Sequence, residues 1–305
     1  MNDPVFLTYI PRSGSTLLAR MLSDVKGVEV TLEADFPDGL LRPELVLNTD
    51  EEVPAGVQNL LGDRKFSAWS FSRSDLKDRL TGLQKPAGYS EWLPAVLASV
   101  FGTAPRLIVV KYGDYIMHVE RLRRLFPGCR FLHVMRDPRG VYASQRRSLD
   151  SQSSTPMVRS PFTIARYFNK VAQQVLASEN EPFFCLVKYE DLVVQPGREL
   201  QRIKDFVGVG GEEVSLNEKY AADIPREQKH LHPDVAKAPD PSRIDAWKEE
   251  LSRRDMYLIQ DVCRPYLQTF GYEILPQSER PGRYYRRYIR AEISSLTERI
   301  LRRLS

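Results

Sequence analysis

Short apolar runs of strand length alternate along the chain with helical patterns, and this alternation restricts the fold more than any other feature. The four clearest runs are Val5–Ile10, Arg106–Val110, Phe131–Met135 and Phe183–Val187. Apolar residues at helical spacing occur between and after them, in Leu17–Ser23, Tyr89–Phe101, Ile116–Leu125, Gly197–Val207 and Arg243–Phe270. Because strands joined through helices form parallel sheets, the sequence predicts a three-layer α/β fold with strands buried on both faces.

The 305 residues suit one large α/β domain, which we place at residues 1–275. Residues 34–105 are rich in proline, glycine and charge, and we interpret them as an insertion over the sheet that shapes a substrate site. Residues 212–242 carry many charges and four prolines, which predicts a flap. The last 30 residues, 276–305, form a separate tail.

The net charge of +4 is unevenly distributed. Residues 277–305 hold eight arginines and three glutamates, a net charge of +5 that leaves −1 for the rest of the chain. This distribution argues against a nucleic-acid-binding body. Ile289, Ile293, Leu296 and Leu304 fall on one helical stripe, so the tail is predicted to be a basic amphipathic helix. It could lie on an anionic membrane, pack on the domain or pair with a second copy in a homodimer.

Cysteine usage and hydropathy predict the compartment. The three cysteines, Cys129, Cys185 and Cys263, have no metal-ligand spacing, and no apolar run approaches the ~20 residues of a membrane span. Residues 5–10 are too short for a signal-peptide core, and no basic residue precedes them. We expect a cytoplasmic protein, peripheral to the membrane if the tail binds lipid.

The first strand runs directly into a polar corner, "PRSGST" at residues 11–16, and then into a helix. Free backbone N–H groups and the helix dipole favour an anion at such a corner, and Arg12, Gly14 and the hydroxyls of Ser13, Ser15 and Thr16 suit the same purpose. The alternative is an ordinary helix start with Ser13 or Ser15 as the cap. No lysine follows Gly14, so the corner is not a Walker A loop.

Two further polar motifs follow predicted strands. In "FLHVMRDPRGVYAS", Arg136 comes directly after a strand, and Ser144 lies about two helical turns further on. In "VKYEDL", Tyr189 follows the Phe183–Val187 strand. Ligands of open α/β sheets bind at the carboxyl ends of the strands, so these side chains are expected at one edge with the corner. Taken singly, each motif is also compatible with a surface helix start or a solvated turn.

Together, the motifs resemble those of sulfotransferases that use 3′-phosphoadenosine 5′-phosphosulfate (PAPS). "TYIPRSGSTLL" resembles the family's 5′-phosphosulfate loop, "FLHVMRDPRGVYAS" its 3′-phosphate motif and "VKYEDLVVQP" a strand-end motif of bacterial members. "RIDAWKEEL" and "FGYEI" are similar to its closing segment, in the family's order. The resemblance implies a P-loop-like nucleotide-binding fold, a parallel sheet of about five strands and no metal.

The resemblance also implies roles for residues. Arg12 and the loop Ser13–Thr16 would hold the 5′-phosphosulfate, Arg136 and Ser144 the 3′-phosphate, and Tyr189 would lie near the adenine. Lys111, at the end of the Arg106–Val110 strand, stands where many members carry a lysine near the sulfonate. The Arg-Lys-Gly run of the cytosolic small-molecule enzymes is absent, and Arg243 is its candidate replacement. The chain is therefore more similar to carbohydrate, tyrosyl-protein and bacterial members.

Transfer of a sulfonate to an alcohol needs a base for the hydroxyl proton. Glu33 ends the alternating run Val28–Leu32, at the edge that carries the corner, and the tyrosyl-protein branch has its base glutamate at this place. His118 is the second candidate because of its intrinsic pKa, although we place it in the helix Ile116–Leu125, where a structural role is as plausible. Asp35 and Asp114 are the remaining carboxylates considered.

The sequence thus favours sulfonate transfer from PAPS to a hydroxyl of a carbohydrate, a lipid-linked glycan or another alcohol or phenol. A P-loop-like kinase that uses ATP is the alternative, and the missing Gly-Lys-[Ser/Thr] argues against it. A non-catalytic nucleotide-binding protein is the third interpretation, against which Arg12, Lys111 and Glu33 argue. No nucleic-acid partner and no metal ion are expected.

Overall fold

The computed structural model describes residues 3–33, 46–63, 65–148, 156–158, 160–215, 220 and 239–281. Within them, five parallel strands form one sheet: β1 (Val5–Tyr9), β2 (Val28–Val30), β3 (Leu107–Lys111), β4 (Arg130–Met135) and β5 (Phe184–Lys188). The strand order is β2-β3-β1-β4-β5. The predicted α/β class and the parallel sheet of five strands are confirmed.

Helices cover both faces of the sheet. On the early part of the chain they are α1 (Ser15–Ser23), α2 (Val53–Gly62), α3 (Arg73–Thr81), α4 (Tyr89–Phe101) and α5 (Val119–Leu125). Further on they are α6 (Pro138–Arg147), α7 (Pro161–Ser178), α8 (Tyr189–Val194), α9 (Pro196–Val207), α10 (Trp247–Glu250) and α11 (Arg253–Thr269). The part of the 34–105 insertion that the structure describes is mainly the helices α2, α3 and α4, which connect β2 to β3.

Alternate residues of β1, β3, β4 and β5 build two separate cores. Leu7, Val109 and Leu132 face α1 and α9 in one core. Phe6 and Phe131 belong to the other core, which the helices α4, α7 and α11 cover, and their ring centroids are 5.3 Å apart. Both cores are apolar, which explains why the strand sequences are almost continuously hydrophobic. The predicted burial of the strands on both faces is therefore correct.

The strand order directs the functional residues to one crevice. After β1 the chain crosses towards β3 and β2, and after β4 it crosses the other way, towards β5. β1 and β4 are neighbours, with Tyr9 opposite Val134 in the register. The helices that follow them, α1 and α6, therefore diverge from a topological switch point, which is where open α/β sheets bind ligands.

Two helical predictions need correction. The pattern Ile116–Leu125 is a 3₁₀ segment, Gly113–His118, followed by α5, so His118 lies at the junction and not within a helix. The pattern Arg243–Phe270 is broken before Ser252, whose hydroxyl accepts a hydrogen bond from Asp255 N and caps α11. In both places the apolar spacing continues across a change of backbone geometry, because both segments pack on the same core.

Most of the predicted flap, residues 212–242, and most of the tail, residues 276–305, lie outside the described residues, so both remain predictions. None of the described helices is long and apolar enough to cross a membrane. The described residues also contain no group of three His, Cys, Asp or Glu side chains placed to hold a metal ion. The expectation that no metal is needed remains a prediction.

Candidate active site

The corner after β1 is built to leave backbone N–H groups open. Gly14 is the residue before α1 and has φ = 100°, and Arg12 also has a positive φ, 75°. No side chain of a described residue caps the helix. The alternative in which Ser13 or Ser15 caps α1 is therefore wrong, because the left-handed Gly14 occupies the capping position and supplies no acceptor. The first turn of α1 keeps its N–H groups and its partial positive charge available for an anion.

Ser13 adds a donor that has no partner within the part of the chain that the structure describes. Its side chain is completely buried, and its Oγ has no hydrogen bond to the described residues. Buried hydroxyls are rarely left without a hydrogen bond, so the Ser13 hydroxyl indicates that the corner accommodates a ligand with an acceptor atom. An unpaired hydroxyl beside an uncapped helix start fits a phosphate or phosphosulfate group.

Arg136 lies beside this corner and links it to Arg243. Its Nη1 donates to the carbonyl of Arg12 at 3.3 Å, and its Nη2 donates to the carbonyl of Arg243 at 2.7 Å. Its Nε is buried and has no partner among the described residues. The guanidinium lies 4.2 Å from the ring centroid of Tyr189. The Tyr189 ring in turn packs against Gly14, leaving no room for a Cβ there. The structure thus brings all five residues together.

Arg12 and Ser144 are in direct contact, since Arg12 Nε lies 3.2 Å from Ser144 Oγ. The resemblance assigns these residues to opposite ends of the nucleotide, so the two predicted phosphate sites are continuous through this pair. Ser144 is held on the buried face of α6, whose first turn begins at Pro138 and is capped by Asp137. Gln145 fixes the same helix to the corner by donating to the Pro11 carbonyl at 2.8 Å.

Lys111 approaches the corner from β3. Its Nζ lies 3.5 Å from Thr16 Oγ1 and 5.2 Å from the ring centroid of Tyr9. The residue is buried, and its backbone N–H donates to Thr31 Oγ1 at 2.9 Å. Tyr220 is also near: burial raises the pKa of its phenol, and Lys111 acts in the opposite direction. The Lys111 side chain thus lies beside the open turn of α1, and its place near a sulfonate stays a prediction.

Glu33 lies three residues beyond β2, at the same edge of the sheet. Its Oε1 accepts a hydrogen bond from the Tyr9 phenol at 2.6 Å, and its Oε2 is 3.8 Å from Lys65 Nζ. The Trp69 indole N–H lies 3.4 Å from the Glu33 carbonyl. Burial, and next the charge of Glu33, raise the pKa of Tyr9 well above its usual value. Tyr9 therefore keeps its proton and is the donor in this pair.

The other base candidates are placed differently. Asp114 lines the same cleft as Glu33 and accepts a hydrogen bond from the Tyr167 phenol at 2.6 Å. His118 is partly buried at the junction before α5 and does not line this cleft. Asp35 lies outside the described residues.

Sequence reasoning missed Arg147, three residues after Ser144 on α6. It forms an ion pair with Glu250 on α10. Burial lowers the pKa of Arg147, and the neighbouring charges of Arg243 and Arg136 lower it further. Three guanidinium groups thus lie near one another at this end of the crevice. The only sequence signal was its position three residues after Ser144. That signal is weak, because the adjacent Arg146 is also an arginine and instead forms an ion pair with Asp255.

The sheet order and the crevice at its carboxyl edge define a P-loop-like α/β protein with a candidate anion site. The sequence model of the sulfotransferase family matches residues 4–213, which is more than half of the chain. The chain therefore belongs to the sulfotransferase family, and the family predicted from its motifs is confirmed.

Two curated proteins are similar to this chain over most of its length. A putative protein-tyrosine sulfotransferase from Caenorhabditis briggsae is 22% identical over 275 residues, covering 88% of this chain and 89% of the relative. The nodulation protein NoeE of Sinorhizobium fredii is 26% identical over 295 residues, covering 88% of this chain and 65% of NoeE.

Solved structures agree on the fold. The sulfotransferase domain of the olefin synthase from Synechococcus PCC 7002 superposes with a TM-score of 0.55 at 18% identity, covering 90% of this chain and 98% of that domain. The sulfotransferase domain from the curacin biosynthetic pathway gives a TM-score of 0.56 at 19% identity, covering 90% and 99%. At such identities the likeness speaks for the fold alone.

Proposed function

We propose that this sulfotransferase uses PAPS as its donor and a hydroxyl group as its acceptor, with Glu33 as the base. The observation that carries the proposal is the uncapped start of α1 beside a buried Lys111, together with the buried Ser13 hydroxyl, which has no hydrogen-bond partner among the described residues. The Tyr9 phenol joins this cradle to Glu33. When bound, PAPS supplies the sulfonate group and departs as adenosine 3′,5′-bisphosphate.

The chain's own residues divide the work. The N–H groups and hydroxyls of Ser13–Thr16 hold the 5′ end, with the cations of Arg12 and Lys111 offsetting negative charge during transfer. Arg136, Ser144 and Arg243 hold the 3′-phosphate, in agreement with the hydrogen bond of Arg136 to the Arg243 carbonyl.

Glu33 takes the proton from the acceptor hydroxyl through Oε1 or Oε2. Tyr9 orients this carboxylate by its 2.6 Å hydrogen bond. His118 is the second candidate for the base, and its position outside the cleft that Glu33 lines favours Glu33. We further propose that residues 1–275 form a single domain and that the protein is cytoplasmic. The tail, residues 276–305, would contact a membrane, pack on the domain or pair with a second copy.

The donor is tested by calorimetric titration with adenosine 3′,5′-bisphosphate, with adenosine 5′-phosphate and with ATP–Mg. Strong binding of the bisphosphate and at least tenfold weaker binding of the other two is the expected result. Arg136→Ala should reduce bisphosphate affinity by about 10–100-fold, the effect of losing one charged hydrogen bond to the proposed 3′-phosphate. The variant also removes the hydrogen bond that joins Arg136 to the Arg243 carbonyl. Strong ATP–Mg binding without bisphosphate binding would favour the kinase alternative and contradict the proposal.

A further inference from the structure

A cleft of about 360 Å³ opens beside Glu33 at the carboxyl edge of the sheet. Its walls come from the ends of β1 and β3, from α6 and α7, and from Met157 and Val158. This volume lies within the range of small-molecule sites, about 300–1,000 Å³. Because the proposed base lines it, the acceptor must enter this cleft for its hydroxyl to reach Glu33.

A second carboxylate, Asp114, faces the same cleft and is held by a phenol. The Tyr167 hydroxyl donates to its Oδ1 at 2.6 Å, and no other hydrogen bond or ion pair joins Asp114 to the described residues. Gly113, just before it, packs so closely on β1 that a Cβ would lie 2.6 Å from the Tyr9 carbonyl. The backbone that carries Asp114 is therefore fixed against Tyr9, the residue whose phenol holds Glu33.

The charges of the cleft discriminate between acceptors. Glu33 and Asp114 are acidic, and among the described lining residues the one lysine or arginine is Lys65, which already lies 3.8 Å from Glu33 Oε2. An acceptor with a carboxylate or phosphate would add a third negative charge to a partly desolvated site, which is unfavourable. A neutral hydroxyl, in contrast, can donate to Asp114, and hydrogen bonds to an ionised acceptor are the strong ones.

The remaining lining suits a ring. Tyr112 and Tyr167 line the cleft with aromatic side chains, while Val158 and Ile164 line it with aliphatic ones. A sugar ring has an apolar C–H face and a polar hydroxyl edge, which matches apolar walls with a few placed polar groups.

Resting on the proposed sulfonyl transfer, we propose that the acceptor is an uncharged ring alcohol with at least two hydroxyls, of the pyranose type. In this arrangement Glu33 takes the proton of the hydroxyl that is sulfonated. Asp114 is the specificity-determining residue: it accepts a hydrogen bond from a second hydroxyl of the same ring. Tyr167 is a positioning residue that orients Asp114.

The test measures kcat/KM with labelled PAPS for three probes: methyl glucoside, its anionic counterpart methyl glucuronide, and cyclohexanol with a single hydroxyl. The wild-type protein should prefer the glucoside to both others. Asp114→Asn should lower kcat/KM for the glucoside by about 10–100-fold. The kcat/KM for cyclohexanol should stay within about twofold, and the kcat/KM for the glucuronide should rise. Glu120→Gln, an exposed acid on α5, is the matched control and should change none of them.

Tyr167→Phe is the second variant, in case Asp114→Asn does not fold, and it should lower the glucoside value alone by a smaller factor. Three results overturn the proposal: no turnover of the glucoside by the wild type, unchanged selectivity in both variants, or an equal loss with all three probes. An equal loss would make Asp114 part of the chemistry instead of recognition. Titration with the bisphosphate separates the donor proposal from the acceptor proposal. If the protein does not bind the bisphosphate, the donor proposal is wrong. If it binds the bisphosphate but does not turn over the glucoside, only the acceptor class is wrong.

Discussion

The phenol of Tyr9, at the end of β1, donates a hydrogen bond to Oε1 of Glu33 at 2.6 Å, although β3 lies between β1 and β2 in the sheet. The same ring lies 5.2 Å from the ammonium group of Lys111. One buried tyrosine thus contacts the proposed base and one of the proposed cations. A phenol whose pKa is raised by burial remains a donor at neutral pH, so this contact fixes the base without competing for its proton.

Replacing Glu33 by glutamine should abolish most of the sulfonyl turnover. Loss of a general base reduces rates by typically about 10²–10⁴-fold, and this is the expected fall in kcat. Bisphosphate affinity should stay within about twofold, because the two side chains that hold the Glu33 carboxylate at 2.6 and 3.8 Å, Tyr9 and Lys65, are not among those proposed to hold the nucleotide. Turnover of labelled PAPS and calorimetry measure the two effects. Full activity in Glu33→Gln would remove it as the base and turn attention to His118.

Tyr9→Phe should lower kcat less than Glu33→Gln does, and it should leave nucleotide binding almost unchanged. One hydrogen bond to a carboxylate is removed, so kcat should fall by about 10-fold while the KM for PAPS changes little. Because the ring remains, its contact with Lys111 is kept. A rise in the KM for PAPS with unchanged kcat would show instead that Tyr9 supports the nucleotide site.

Arg147→Ala should weaken the bisphosphate more than adenosine 5′-phosphate, because Arg147 lies near Arg136 and Arg243 at the proposed 3′-phosphate end. We expect a loss of about 5–30-fold for the bisphosphate and less than about twofold for the monophosphate. The neighbouring Arg146→Ala is the matched control, since that side chain pairs with Asp255. Equal losses for both nucleotides, or equal losses in both variants, would contradict this role.

The sequence predicts those parts of the site that one segment builds. The uncapped corner depends on Gly14 and its neighbours, and the strand-end positions of Lys111 and Arg136 follow from short apolar runs. Parallel strands then place these residues at one edge without further information.

The missed contacts all join segments that are remote in the chain. Tyr167 reaches Asp114 across 53 residues, and Tyr9 reaches Glu33 across 24. Their meeting depends on how α7 and the loop after β2 pack, which no local pattern encodes. His118 shows the opposite limit: its apolar neighbours have helical spacing, but the 3₁₀ geometry of Gly113–His118 moves it to a junction.

The stability of the protein should depend on pH through two buried groups, His133 and Glu190, whose pKa values are shifted in opposite directions. Burial lowers the pKa of His133 from 6.5 to about 3, and burial raises the pKa of Glu190 from 4.5 to about 7. Between about pH 4.5 and 6.5, unfolding therefore takes up a proton at His133 and releases one at Glu190. The His133 contribution makes stability rise with pH, whereas the Glu190 contribution makes it fall, each by at most about 1.4 kcal/mol per pH unit.

Urea unfolding at several pH values in this window separates the two. His133→Gln should make the slope of unfolding free energy against pH more negative, because only the Glu190 contribution remains. Glu190→Gln should make the slope more positive, and the double variant should return close to the wild-type slope. The absolute stabilities are not the readout, since His133→Gln also disturbs the 2.8 Å contact with Thr8. If neither single variant changes the slope, then the two groups titrate alike in the folded and unfolded chains, and burial at these sites does not exclude water.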